Sequence, residues 1–174
     1  MNEKRNYNIV LIGFMGSGKS SVARGLSHLC GMEIIEMDEI ISQREHMPIT
    51  EIFAQKGETY FRDLETNLLI EMQSRTNCII SCGGGVPLRE RNVAEMKKNG
   101  KVFCLTAEPS TILARTRSNQ DRPLLKGRST EESIRELMEQ RREKYQAASD
   151  ITIKTDDRSI PEICQEILSY LKEG

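Results

Sequence analysis

Residues Gly13 to Ser20 read GFMGSGKS, and the four residues ahead of them, Ile9 to Ile12, are all apolar. The octet satisfies GxxxxGK[ST] immediately after a strand-like run and before a helix-forming stretch, the context that a phosphate-binding loop requires. Gly13, Gly16 and Gly18 permit a backbone that turns its N–H groups onto phosphate oxygens, and the helix that follows aims the positive end of its dipole at the same place. In such a loop Lys19 reaches the β- and γ-phosphates and Ser20 holds Mg²⁺, with Ser17 and Ser21 among the nucleotide contacts. The octet therefore predicts binding of a nucleoside triphosphate and movement of its terminal phosphoryl group.

Outward from the loop, short apolar runs recur at Ile9–Ile12, Ile34–Met37, Cys78–Ser81, Val102–Leu105 and Ile151–Ile153, separated by helix-like segments. Runs without alternation suit strands covered on both faces, so the pattern predicts a three-layer α/β/α sandwich around a five-stranded parallel sheet. Ser129 with Glu132 forms a capping-box signature ahead of Ile134, Leu137 and Met138. Ile160, Ile163, Cys164, Ile167, Leu168 and Leu171 lay one apolar stripe along a last helix. The segment of about forty residues from Asp38 to Asn77 exceeds what a simple crossover needs and predicts an inserted helical, substrate-binding part over about 38–76. Thr116 to Arg128, TRSNQDRPLLKGR, is polar, basic and aperiodic, and reads as a mobile lid.

The chain has 174 residues, the size of one domain, with 25 Lys plus Arg against 26 Asp plus Glu. A formal charge of −1 supplies no general field for nucleic acid or an anionic membrane, so any anion site has to be local. Cys30, Cys78, Cys82, Cys104 and Cys164 form an odd set without CxxC spacing, which argues against a disulfide framework and a structural zinc site. With a polar start, no signal peptide and no membrane-length apolar stretch, a cytoplasmic protein is expected.

A phosphate-binding loop names the donor and leaves the acceptor open. A regulatory GTPase would carry DxxG, which is absent, and NKxD, whose nearest approach is Ile153-Lys154-Thr155-Asp156. In parallel sheets ligands bind beyond the carboxyl ends of the strands. Glu36 and Asp38 stand at that edge after strand two, where carboxylates can receive a hydroxyl proton, bind Mg²⁺ through water, or simply cap a helix. Gly83, Gly84 and Gly85 follow strand three and allow a ligand, or merely a turn, to lie against bare backbone. Arg141 falls on the apolar stripe of its own helix, seven residues after Ile134, so its guanidinium should face inward and need an anion, whether a carboxylate of the protein or a ligand. Arg62, with Glu65 three residues on to orient it, makes the same demand in the inserted part.

In order and spacing, GFMGSGKS, EMDEII, IFAQKGETYFRDLE, SCGGGV, RPLL and QRREKY resemble the shikimate kinase family from Ile9 to about Leu171, nearly the whole chain. The resemblance implies a nucleoside-monophosphate-kinase-like fold, ATP and Mg²⁺, and transfer of the γ-phosphoryl group to the 3-hydroxyl of shikimate in aromatic biosynthesis. By position, Asp38 would bind the acceptor hydroxyls and act as base. Arg62, Arg141, Gly83, Gly84 and Gly85 would hold the acceptor, and Glu65 would steady Arg62. Arg122 would swing in with the lid to meet the transferring phosphate, Arg115 would lie against adenine, and Arg158 would contact the nucleotide. The family commonly has DxD where this chain has Glu36-Met37-Asp38, so Glu36 would have to hold Mg²⁺ through water with a longer side chain. A kinase of gluconate or a nucleoside monophosphate would share the loop and fold, although paired arginines disfavour a neutral sugar; a nucleotide-binding regulator would lack acceptor-dependent turnover. Shikimate and ATP are the expected partners of a monomer that binds neither nucleic acid nor membrane.

Overall fold

The five apolar runs form five strands: β1 (Asn8–Gly13), β2 (Glu33–Glu36), β3 (Cys78–Ser81), β4 (Gly100–Thr106) and β5 (Ile151–Lys154). They pair in parallel in the order β2-β3-β1-β4-β5. The structure is a computed structural model and describes residues 4–117 and 130–172. Every residue of central β1 is buried. Its one polar member, Asn8, is tolerated because its side chain accepts from the Cys78 N–H at 3.0 Å and donates to the Arg75 carbonyl at 2.9 Å.

Alternate strand residues face opposite layers. Val10, Ile12, Ile80, Val102 and Cys104 pack with Ile41, Ile52, Phe61, Leu68, Met96, Ile112 and Leu137, while Ile9, Leu11, Ile79, Phe103 and Leu105 pack with Val22, Leu26, Ile163 and Ile167. One face is thus covered by α1 (Lys19–Cys30) and α8 (Ile160–Lys172). The other carries α2 (Met37–Glu45), α3 (Ile49–Lys56), α4 (Glu58–Met72), α5 (Glu90–Asn99), α6 (Pro109–Thr116) and α7 (Glu131–Ala148). This is the expected three-layer sandwich, and the stripe on α8 faces its core as read. Helices α2, α3 and α4 fill the long stretch between β2 and β3. Among the described residues no helix is long and apolar enough to cross a membrane.

Two local readings change. Met37 opens α2 instead of ending β2, so Asp38 stands in the first turn of a helix, where the dipole favours a carboxylate. The cap of α7 is Thr130, whose hydroxyl accepts from the Ser133 N–H at 3.1 Å; this single threonine cap replaces the capping box expected at Ser129 and Glu132, and Ser129 lies outside the described residues. The lid expected over 116–128 also falls outside them, apart from Thr116 and Arg117.

Candidate active site

The carboxyl end of β1 turns directly into the phosphate-binding loop. Gly13 is pressed against β4, where a Cβ would overlap the Leu105 carbonyl oxygen and stand 2.7 Å from Ser17 Oγ. Gly18 takes φ 103° as the residue preceding α1, a conformation that glycine adopts without penalty. No acidic residue occupies the first turn of α1, so its free N–H groups and dipole face the loop with no competing negative side chain. Lys19 folds back over the loop, its Nζ donating to the Gly13 carbonyl at 2.7 Å and the Phe14 carbonyl at 3.2 Å. A phosphate in the loop offers that ammonium a charged acceptor in place of two neutral ones.

The loop floors a cavity of about 1090 Å³ that runs along the carboxyl edge of the sheet. Of the residues singled out by sequence, Gly16, Gly18, Lys19, Ser20, Ser21, Glu36, Asp38, Gly83, Gly84 and Arg115 line it. Pro48 and the first two residues of α3, Ile49 and Thr50, also line it; their sequence carries no catalytic signature, and only the topology brings them there. Cys82 also lines the cavity, but burial pushes its thiol far up, so it stays neutral and offers no nucleophile.

Arg62, Arg141, Gly13, Ser17 and Gly85 do not line this open space. The two arginines instead bear on the glycine run. A Cβ at Gly85 would overlap the Arg62 guanidinium, and one at Gly84 would meet Arg141 Nη1 at 3.6 Å and the Tyr145 hydroxyl at 3.7 Å. Arg62 is nearly buried, and burial works against its charge. Glu65 Oε1, accepting from Nη1 at 2.7 Å, and Glu58, accepting from Nη2 at 3.3 Å, more than restore it, so its pKa is raised.

Arg141 is equally buried, yet its Nη1 has no hydrogen-bond partner among the described residues. The Phe14 ring lies 5.8 Å from its guanidinium carbon. An aromatic face offsets only part of the cost of a buried cation, so Arg141 is open to a further anion. Its neighbour Arg142 is exposed and pairs loosely with Glu139 at 3.6 Å, as the helical stripe implied. Tyr145 passed unassigned in the sequence, although it ends the QRREKY motif; its hydroxyl donates to the Gly84 carbonyl at 2.5 Å and fixes the glycine run to α7.

At the other end of the cavity Arg115 is anchored by the Gly16 carbonyl at 3.1 Å and by Thr155, through Oγ1 at 3.1 Å and the carbonyl at 3.3 Å. Buried Thr155 is a second residue that sequence missed, because a threonine after a strand carries no signal of its own; its hydroxyl lies within hydrogen-bond reach of the Ser17 and Thr106 carbonyls. Arg158 does not line the cavity and instead donates to Glu166 at 2.6 Å. Arg122 lies outside the described residues. Among those described, no cluster of three or more His, Cys, Asp or Glu side chains could cage a metal. The oxygen donors that line the cavity include the Ser20 hydroxyl and the Glu36 and Asp38 carboxylates, a hard set that suits Mg²⁺ completed by phosphate and water.

A family model described as shikimate kinase matches residues 15–172. A shikimate kinase from Sulfurihydrogenibium sp. is 41% identical over 95% of this chain and 98% of its own length. Among solved structures, a shikimate kinase from Acinetobacter baumannii in complex with shikimate superposes with a TM-score of 0.92 at 32% identity, covering 98% of this chain and 95% of the other. One from Aquifex aeolicus gives 0.79 at 34% identity, covering 95% and 96%. A gluconokinase from Sinorhizobium meliloti, with a TM-score of 0.59 at 18% identity over 98% of this chain and 94% of its own, shares the fold alone. The chain belongs to the shikimate kinase family.

Proposed function

We propose that the residues gathered along this sheet edge carry the family's reaction, transfer of the γ-phosphoryl group of ATP to the 3-hydroxyl of shikimate, which yields shikimate 3-phosphate and ADP. The phosphate-binding loop from Gly13 to Ser21 cradles the triphosphate, and Lys19 leaves its carbonyl partners for the β- and γ-oxygens. Arg115 lies along the nucleotide's base end. Ser20, with Glu36 acting through water, holds Mg²⁺, which when bound draws charge off the phosphoryl oxygens. Glu36 has one more methylene than an aspartate and reaches the same cavity from the end of β2.

Asp38 stands on the acceptor side of the cavity and receives the proton of the hydroxyl that attacks phosphorus. The acceptor's carboxylate settles on Arg62 and Arg141 across the bare backbone of Gly83 to Gly85. A buried Arg141 whose Nη1 has no hydrogen-bond partner among the described residues carries this reading: a guanidinium so placed can take an anion, and shikimate brings one. Arg122 keeps the lid role that the resemblance gives it, and Arg158 remains a nucleotide contact only if it leaves Glu166. The whole chain works as one domain, a monomer in the cytoplasm, with its five cysteines free and buried.

Incubation with ATP, Mg²⁺ and a panel of hydroxylated acids tests the proposal. ADP release that depends on shikimate, with phosphate recovered on its 3-hydroxyl, is expected. Release that responds to gluconate or a nucleoside monophosphate and ignores shikimate would overturn it.

A further inference from the structure

Glu65 has no exposed surface. Its Oε1 holds Arg62, but its Oε2 has no hydrogen-bond partner among the described residues. That second oxygen is aimed at the glycine run, where a Cβ on Gly83 would stand 2.8 Å from Glu65 Oε2 and 3.1 Å from Asp38 Oδ1. Carboxyl oxygens from α4 and α2 therefore bear on one point at the acceptor's seat.

The charges around Glu65 are few. Arg62 and, farther out, Glu58 stand on its own helix, Asp38 faces it from α2, Arg89 from the start of α5, and the neutral Cys82 thiol from the end of β3; Arg141 and Tyr145 of α7 stand across the glycines. Three acids, Glu58, Glu65 and Asp38, and three arginines, Arg62, Arg89 and Arg141, balance until an anionic acceptor enters. A further negative charge within a few ångströms in so dry a place disfavours its neighbours by a factor on the order of a hundred. Burial already pushes the Glu65 carboxyl up to about 7, against the pull of Arg62 and with the help of Asp38. Giving up its charge near neutrality therefore costs little.

We infer that Glu65 is a proton-linked positioning residue: when the acceptor's carboxylate settles on Arg62, the free oxygen Oε2 takes a proton from solvent while Oε1 keeps its hold on Arg62. One O–H bond forms at Oε2, the buffer loses that proton, and the site accepts a carboxylate without gaining net charge. This deepens the acceptor reading above and rests on it. Because the complex binds more protons than the free protein, affinity is full below the free Glu65 pKa and falls as pH rises through its raised value in the complex. Neither histidine, His28 or His46, lines the cavity to offer another source of linkage.

Isothermal calorimetry of shikimate binding, without nucleotide, in phosphate and in Tris near pH 7.5 reads the proton directly. Wild type should show a heat that depends on buffer ionisation, with roughly half a proton or more taken up, and a Kd that weakens by up to about tenfold per pH unit above pH 7. Glu65→Gln should still bind, with heat independent of buffer and Kd flat across the same range. The wild-type series decides by itself should the variant not fold: a buffer-independent heat or a flat Kd overturns the inference. Linkage that persists in a folded Glu65→Gln assigns the proton elsewhere and also overturns it. Absence of any shikimate binding by wild type is a different failure, since it removes the acceptor reading itself.

Discussion

The Arg62 guanidinium occupies the space that a side chain on Gly85 would fill, its carbon and both terminal nitrogens overlapping the position of a Cβ there. Gly85 has φ −88°, an ordinary value for any residue, so its lack of a side chain serves Arg62 and not the backbone. Gly85→Ala should therefore displace Arg62 and raise the KM for shikimate by roughly 10- to 100-fold, leaving the KM for ATP unchanged, with about 1–3 kcal/mol lost to overpacking. Paired substrate titrations and a melting curve check this; unchanged shikimate kinetics would detach Arg62 from the acceptor.

Lys19 donates to two carbonyls of its own loop, neutral acceptors that the charged oxygens of a bound phosphate would replace. Lys19→Ala should lower phosphoryl transfer by on the order of a thousandfold, as expected when a group aimed at developing phosphate charge is lost, while Tm stays nearly constant. A variant within about tenfold of wild-type kcat would remove the lysine from the mechanism.

Glu65 also makes stability depend on pH in a way that other acids do not. Its carboxyl titrates at about 7 when folded against an ordinary value of 4.5. The neutral form is the one the fold prefers, so its contribution is full below 4.5 and is lost as pH rises through 7. The loss amounts to about 3 kcal/mol. Glu45, Glu71 and Glu95 are held below their usual range by Lys56, Arg44 and Lys98, and they act in the opposite sense at lower pH. The difference in unfolding free energy between wild type and Glu65→Gln cancels those groups. It should fall by about 3 kcal/mol from pH 4.5 to 7.5, measured by urea titration at each pH; a difference that is level with pH would show that Glu65 is ionised throughout.

The sheet was legible because each of its strands is a short apolar run flanked by turn residues, and the phosphate-binding loop because glycine spacing and Lys19 have no common alternative use. Arg141 was legible as inward-facing from helical periodicity alone, since Ile134 and Arg141 lie seven residues apart on one face. Its missing partner was not legible, because whether a carboxylate meets it depends on which helices the sheet brings across from α7. Tyr145 and Thr155 stayed silent for the same reason: each acts by a hydrogen bond to backbone far along the chain, Gly84 and Ser17, and no local pattern records such a bond. The boundary of β2 failed at Met37, whose apolar side chain fits a strand end and a first helical turn alike.

What Arg141 is paired with decides whether this site seats an anionic acceptor, and Arg141→Leu tests that most directly. A guanidinium held by a fixed protein carboxylate would, on removal, strand that carboxylate and destabilise the fold by about 3–5 kcal/mol. Arg141 instead lies over Phe14, its Nη1 without a hydrogen-bond partner among the described residues, so leucine should leave the apo protein as stable as wild type or slightly more so. Melting of both proteins, each with and without saturating shikimate, separates the cases: wild type should gain Tm with shikimate, while the variant should match or exceed wild type without it and gain nothing on its addition. A variant that melts well below wild type and still gains stability from shikimate would contradict the account.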